Sequence, residues 1–123
     1  MLGDDMCPRY QRAVQILGKR WTALIVRTLL PRPRRFSDMI SHIPGLSDRL
    51  LSERLKELES CGIVERHVFA ETPVRIEYSL TGKGHDLQHV VEAIQHWADC
   101  WAQGTGSQEP ITTNEPQAAR SAI

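Results

Sequence analysis

The sequence predicts a mainly α-helical chain with one small β hairpin, on two adjoining observations. On a helix, the stretch Ser47 to Cys61 places Leu51, Leu55 and Leu58 on one stripe, with Leu50 and Cys61 at its edge. Arg49, Ser52, Glu53, Lys56 and Ser60 then point the other way. Directly after it come IVERHVF, the turn-like AETP and VRIEYSL, a pattern that returns on itself as a hairpin. A short helix with one dry and one presented face, feeding straight into a long hairpin, is the outline of a winged helix.

The length of 123 residues allows one domain with a real core and excludes two substantial ones. With 41 % apolar residues the chain is not disordered as a whole, and 15 Lys plus Arg balance 15 Asp plus Glu. That zero hides an uneven distribution. Between Lys19 and Arg49 stand seven basic residues (Lys19, Arg20, Arg27, Arg32, Arg34, Arg35 and Arg49) against Asp38 and Asp48 alone. Such an excess suits either a solvated surface or a cationic face for DNA. Cysteines at 7, 61 and 100 have no zinc-finger spacing, and an odd count fits a reducing compartment. The longest apolar run, Ala23 to Val26, is far too short to span a membrane, so a cytoplasmic protein is expected.

Residues 1–6 read as a flexible leader. Pro8 suits a first helical turn, and Ala13, Val14, Ile16 and Leu17 give the helix from Cys7 to Leu17 its apolar side. After Gly18 a strongly apolar second helix is expected over Lys19 to Leu30, carrying Trp21, Leu24, Ile25, Thr28 and Leu29. Pro31 and Pro33 end it, and Arg32, Arg34 and Arg35 make the connector basic. Phe36 to His42 forms a short helix with Phe36, Met39 and Ile40 turned inward, and IPGL is a turn in which Gly45 takes a positive φ. The presented helix follows, with Ser47 as N-cap, Asp48 at the positive end of its dipole and Gly62 closing it in a left-handed conformation. Together these make a helix-turn-helix, in which the second helix enters a major groove.

From Thr81 a last helix is expected to run to Trp101, with Leu87, Val90, Val91, Ile94, Trp97, Ala98 and Trp101 on one broad side. Two tryptophans on its last turns suit a second copy of the chain, or packing within the same subunit. Residues 103–123 lack periodicity and read as a disordered tail. The winged helix with its flanking helices thus occupies 7–102.

The words CPRYQRAVQILGKRWTALIVRTLL, PRRFSDM, IPGLSDRLLSERLKELESCGIVER, TPVRIEYSLTGKG and AIQHWAD, in this order and spacing, resemble the HxlR-type transcriptional regulators, bacterial winged-helix DNA-binding proteins related to the MarR type. The similarity covers Cys7 to about Trp101. The family's N-terminal Cys-Pro falls on Cys7 and Pro8. Its Gly-Lys-Trp word falls on Lys19, Arg20 and Trp21, with lysine in place of glycine. The recognition-helix word appears as Leu46, Ser47, Asp48 and Arg49, then Glu53, Arg54 and Leu55, in which Asp48 and Glu53 depart from the pattern and add negative charge. The wing ending Arg-Val-Glu-Tyr-Ser-Leu-Thr is Arg75 to Thr81, with Ile76 for valine. The resemblance implies a homodimer joined through its first and last helices, with Val14, Leu17, Ile94, Trp97 and Trp101 on that surface. It also implies two recognition helices reading a pseudo-palindrome in double-stranded DNA, about 34 Å apart along the duplex.

Within that scheme Arg49 is the candidate for bidentate readout of a guanine edge. Ser52 takes a base or phosphate contact, Lys56 a phosphate, and Ser47 lies at the helix start beside them. Glu53 either reads cytosine or holds Lys56 or Arg49 in place. Arg54, at the edge of the apolar stripe, either touches phosphate or makes a structural salt bridge. Ser37, with Arg34 and Arg35 beside it, is a backbone anchor. Arg75 either reaches phosphate or the minor groove, or pairs with Glu71 or Glu77.

Cys7 carries two readings. Some HxlR-type proteins resemble redox or electrophile sensors in which the N-terminal cysteine reacts, and a helix N-terminus beside Arg9 is the electropositive setting in which thiols do so. The other reading is a cysteine packed at the dimer surface, and Cys61 and Cys100 read as partly buried packing residues. His85, His89, Glu92, His96 and Cys100 form a stripe on the last helix, either a solvated polar face or a half-site for a soft divalent metal. No cofactor is expected. An enzyme is disfavoured, because paired carboxylates, a nucleophile with a base, and a glycine-rich phosphate loop are all missing. A signal, small-molecule or redox, is left unnamed by the sequence, and a winged helix that binds only protein is the alternative in a different class.

Overall fold

The computed structural model describes residues 2–102. In order, the elements are α1 (Pro8–Leu17), α2 (Thr22–Leu29), α3 (Phe36–His42), α4 (Asp48–Ser60), β1 (Val64–Phe69), β2 (Arg75–Leu80), α5 (Gly82–His85) and α6 (Gln88–Ala102). The chain divides into two units, Met1–Val91 and Glu92–Ile123, so the winged helix belongs to the first and the later turns of α6 to the second. The expected disordered tail lies outside the described residues.

The core of the first unit is built from Ile25, Val26 and Leu29 of α2, Met39 of α3, Leu51, Leu55 and Leu58 of α4, and Ile43, Leu46, Ile63, Val64 and Leu80 around them. Each fully buried leucine of α4 contributes roughly 2–3 kcal/mol by leaving water. Three of them on one stripe fix which way the helix faces.

Both ends of α4 are closed as its sequence demands. Ser47 Oγ accepts a hydrogen bond from the Leu50 amide at 3.1 Å. At the other end Gly62, at φ 77°, lets the Ile63 amide donate to the Leu58 carbonyl and its own amide to Glu59, a Schellman closure. Gly45 takes φ 87° in the turn before α4. The strands pair antiparallel from Val64 with Leu80 to Phe69 with Arg75.

Two expected helices differ from their observed form. Helix α2 begins at Thr22, not Lys19, because Trp21 sits at φ 81° and cannot continue a right-handed helix. That conformation costs about 1–2 kcal/mol for a residue with a Cβ. Its ring packs against the core, and its Nε1 is buried with no hydrogen-bond partner among the described residues. The single helix expected from Thr81 is two, α5 and α6, separated at Asp86 and Leu87. The break takes His85 out of α6 and divides the histidine stripe. Cys100 is exposed, not partly buried, with Sγ 3.7 Å from His96 Nε2. Among the described residues no group of three or more His, Cys, Asp or Glu side chains is arranged to hold a metal ion.

Candidate nucleic-acid interface

With its leucines turned inward, α4 presents Arg49, Glu53 and Lys56 to solvent, and Ser52 half-buried between them. The Arg49 side chain is 83 % exposed and meets Glu53 at 3.5 Å, its one ion pair among the described residues. Lys56 makes no ion pair among the described residues. This outer face is a row of long polar side chains on a rigid base, the form that reads a groove. Ser47 is exposed, but its Oγ is occupied as the cap. At the start of α3 both Arg35 and Ser37 are exposed, with Arg35 as the N-cap residue.

Arg34 corrects the expectation placed on it. Its side chain is only 9 % exposed, Nε donates to the Thr28 carbonyl at 2.6 Å and Nη1 to Asp38 Oδ2 at 3.1 Å. Its backbone exchanges two hydrogen bonds with Tyr78, of 3.0 and 2.8 Å, a bridge outside the two named strands. Arg34 joins α2, α3 and the wing, with its side chain turned inward onto Thr28 and Asp38. Its hydrogen bond and charge, with smaller help from His42 and Arg32, hold the Asp38 carboxyl below the usual aspartate range.

Arg75 takes the ion-pair option of its two readings. It donates to both oxygens of Glu71 and to Glu77, and its guanidinium lies 3.9 Å from the Phe69 ring centroid. These carboxylates, Glu71 first, raise its already high pKa. Glu71 is held below the usual glutamate range by the same hydrogen bonds, with a smaller pull from Arg35. The wing arginine therefore stays charged and is paired with two carboxylates. At the tip, Val68 and Val74 are exposed.

Arg54 is likewise turned inward as a structural ion pair. It meets Glu57 at 3.5 Å and Glu53 at 4.0 Å, and its Nε donates to the Arg20 carbonyl at 3.1 Å. Lys19 meets the same Glu57 at 3.1 Å. Sequence reading missed Glu57 and Lys19. Spacing by three signals Arg54 with Glu57, but nothing local signals a partner 38 positions away.

Of the residues expected at a dimer surface, Val14 on α1 is exposed, whereas Leu17 is half-buried and lines a cavity of about 140 Å³ with Ala13, Ile16, Ile63, Lys83 and Leu87. On α6, Ile94, Trp97 and Trp101 are exposed, the last two at 63 % and 70 %. Cys7 is the half-buried N-cap residue of α1.

The HxlR-like helix-turn-helix family matches residues 16–105. A chain described as an uncharacterized HTH-type transcriptional regulator, YvaP of Bacillus subtilis (strain 168), is 57 % identical over 98 residues, covering 80 % of this chain and 91 % of that one. The structure of the reduced form of the transcriptional regulator YodB from B. subtilis superposes with a TM-score of 0.71 at 47 % identity, over 80 % of this chain and 97 % of that one. A quinone-bound structure of YodB gives 0.68 at 45 % identity, over 77 % and 99 %.

Proposed function

The chain belongs to the HxlR-like helix-turn-helix family of DNA-binding transcriptional regulators, and from that premise we propose that it occupies a pseudo-palindromic promoter site as a homodimer. The observation that carries the reading is the division of α4 into an inner face of buried leucines and an outer face with Arg49 and Lys56 exposed. Arg49 reads a base edge, Lys56 and Arg35 neutralise phosphate, and Ser37 and Ser52 add neutral contacts. The exposed Val14, Ile94, Trp97 and Trp101 supply apolar surface for the second copy.

The test is selection of duplexes from a random library by the full chain, then anisotropy titration of the enriched duplex and a scrambled one at about 50 and 200 mM salt. Salt-sensitive preference for the enriched duplex, with two protomers bound per site, is expected. Absence of binding at low salt would transfer the fold to protein recognition.

A second reading is favoured by one observation. YodB has a quinone-bound form, and the present chain carries Cys7, half-buried, at the start of α1. In this reading modification of Cys7 changes operator affinity. Unchanged binding after complete thiol modification would dispose of it.

A further inference from the structure

Five side chains alternate in sign from the α1–α2 junction across α4: Lys19, Glu57, Arg54, Glu53 and Arg49. Successive N···O separations are 3.1, 3.5, 4.0 and 3.5 Å. Lys19 and Arg54 meet the same oxygen, Oε2 of Glu57, while Arg54 and Arg49 meet different oxygens of Glu53. The middle member is also the most buried, with the Arg54 side chain 15 % exposed. Its Nε is spent on the carbonyl of Arg20. That carbonyl immediately precedes Trp21, whose left-handed backbone fixes where it points.

An isolated pair between exposed Arg49 and Glu53 is worth a few-fold at most and leaves the arginine many rotamers. Arg54 changes that, because it is itself anchored by backbone and turned out of solvent. It gives Glu53 one side to rest on, and Glu53 in turn meets Arg49 through Nε. The terminal nitrogens of Arg49 then remain for bidentate pairing with a base edge.

We propose that Arg54 and Glu57 are positioning residues for sequence readout, which orient Arg49 through Glu53 and tie that orientation to the α1–α2 junction through Lys19 and the Arg20 carbonyl. This rests on α4 being the base-reading helix. It assigns to Glu53, a departure from the family pattern, a supporting duty in place of a base contact.

The experiment uses the full chain, the duplex that the wild type enriches from a random library, and a scrambled duplex at one salt concentration. The readout is the ratio of the two affinities. Arg54→Met and, separately, Glu57→Gln are expected to lower this ratio about three- to tenfold, the scale of one to two lost charge-assisted contacts. In an Arg49→Ala background the same changes are expected to leave the ratio where Arg49→Ala alone puts it. Arg54→Lys, which keeps the charge but not the fork, is expected to restore part of it. Equal weakening of both duplexes, or a loss of ratio that persists in full without Arg49, would overturn the proposal. Should Arg54→Met fail to fold, Glu57→Gln at its more exposed position decides alone. Failure of the wild type to enrich any duplex would instead remove the base-reading premise.

Discussion

Arg34 and Arg49 have the same chemistry and opposite uses. The first is enclosed by a backbone carbonyl, a carboxylate and a pair of backbone hydrogen bonds with Tyr78. The second stands in solvent beside one partner at 3.5 Å. A mostly buried cation bonded to a carbonyl and a carboxylate gives up both contacts if it leaves, whereas a loosely held exposed one is exchanged for phosphate or base at little cost. The contrast teaches that positive charge counted along a sequence overstates the charge available to DNA. Arg32 and Arg34 both face Asp38, Lys19 faces Glu57, and Arg75 is held by two glutamates.

The sharpest way to break the contrast is Arg34→Ala. Removing this side chain leaves the Thr28 carbonyl without its 2.6 Å donor and takes one of three basic partners from Asp38, so the urea midpoint is expected to fall clearly further than for an exposed arginine. A loss near that of an ordinary surface substitution would show that Arg34 is not the joint described above. Arg49→Ala is the mirror experiment. Stability is expected to stay within about 0.5 kcal/mol, while discrimination between enriched and scrambled duplexes falls by roughly 1–3 kcal/mol, read by anisotropy.

Two smaller effects sharpen the comparison. Comparison of Lys56→Ala with Arg75→Ala measures the difference between a cation with no ion pair among the described residues and one held by two glutamates. The slope of log affinity against log salt is expected to decrease by about one for Lys56→Ala, and by clearly less for Arg75→Ala. Equal changes would mean that DNA draws Arg75 away from its glutamates. Asp38 supplies the pH test. Its folded pKa is depressed by Arg34, so the stabilisation is present above the ordinary aspartate value of about 3.9 and lost as pH falls through the lower folded value. The wild type is therefore expected to lose stability below about pH 4 more steeply than Asp38→Asn, measured by urea midpoints across that range. Parallel curves would assign the acid sensitivity elsewhere.

Legibility followed the range of the interactions. Ser47, Gly45, Gly62 and the leucine stripe of α4 are local signals, and each is observed in the predicted place. The left-handed Trp21 was illegible, because apolar periodicity runs straight through it and nothing in a residue with a Cβ signals a positive φ. The break at Asp86 and Leu87 was hidden for the same reason: residues on both sides keep helical spacing. At the interface, the outward direction of Arg49 and Lys56 followed from the position of the leucines. The inward direction of Arg34 did not, although its side-chain partners Thr28 and Asp38 are near in sequence, because one arginine in a basic run carries no local mark that separates it from its exposed neighbours Arg32 and Arg35. Glu57 carries no local signal of its pairing with Lys19, which only the fold brings to it.

The bridge between Arg34 and Tyr78 has a mechanical meaning. A two-stranded ribbon joined only at its root would flex as a free arm. Here the connector before α3 acts as a third rail along the base of that arm, so swinging it means breaking the two backbone bonds and disturbing the arginine beneath. The wing is thereby tied at its root to the segment that leads into the helix-turn-helix, like a hinge leaf screwed down on both sides.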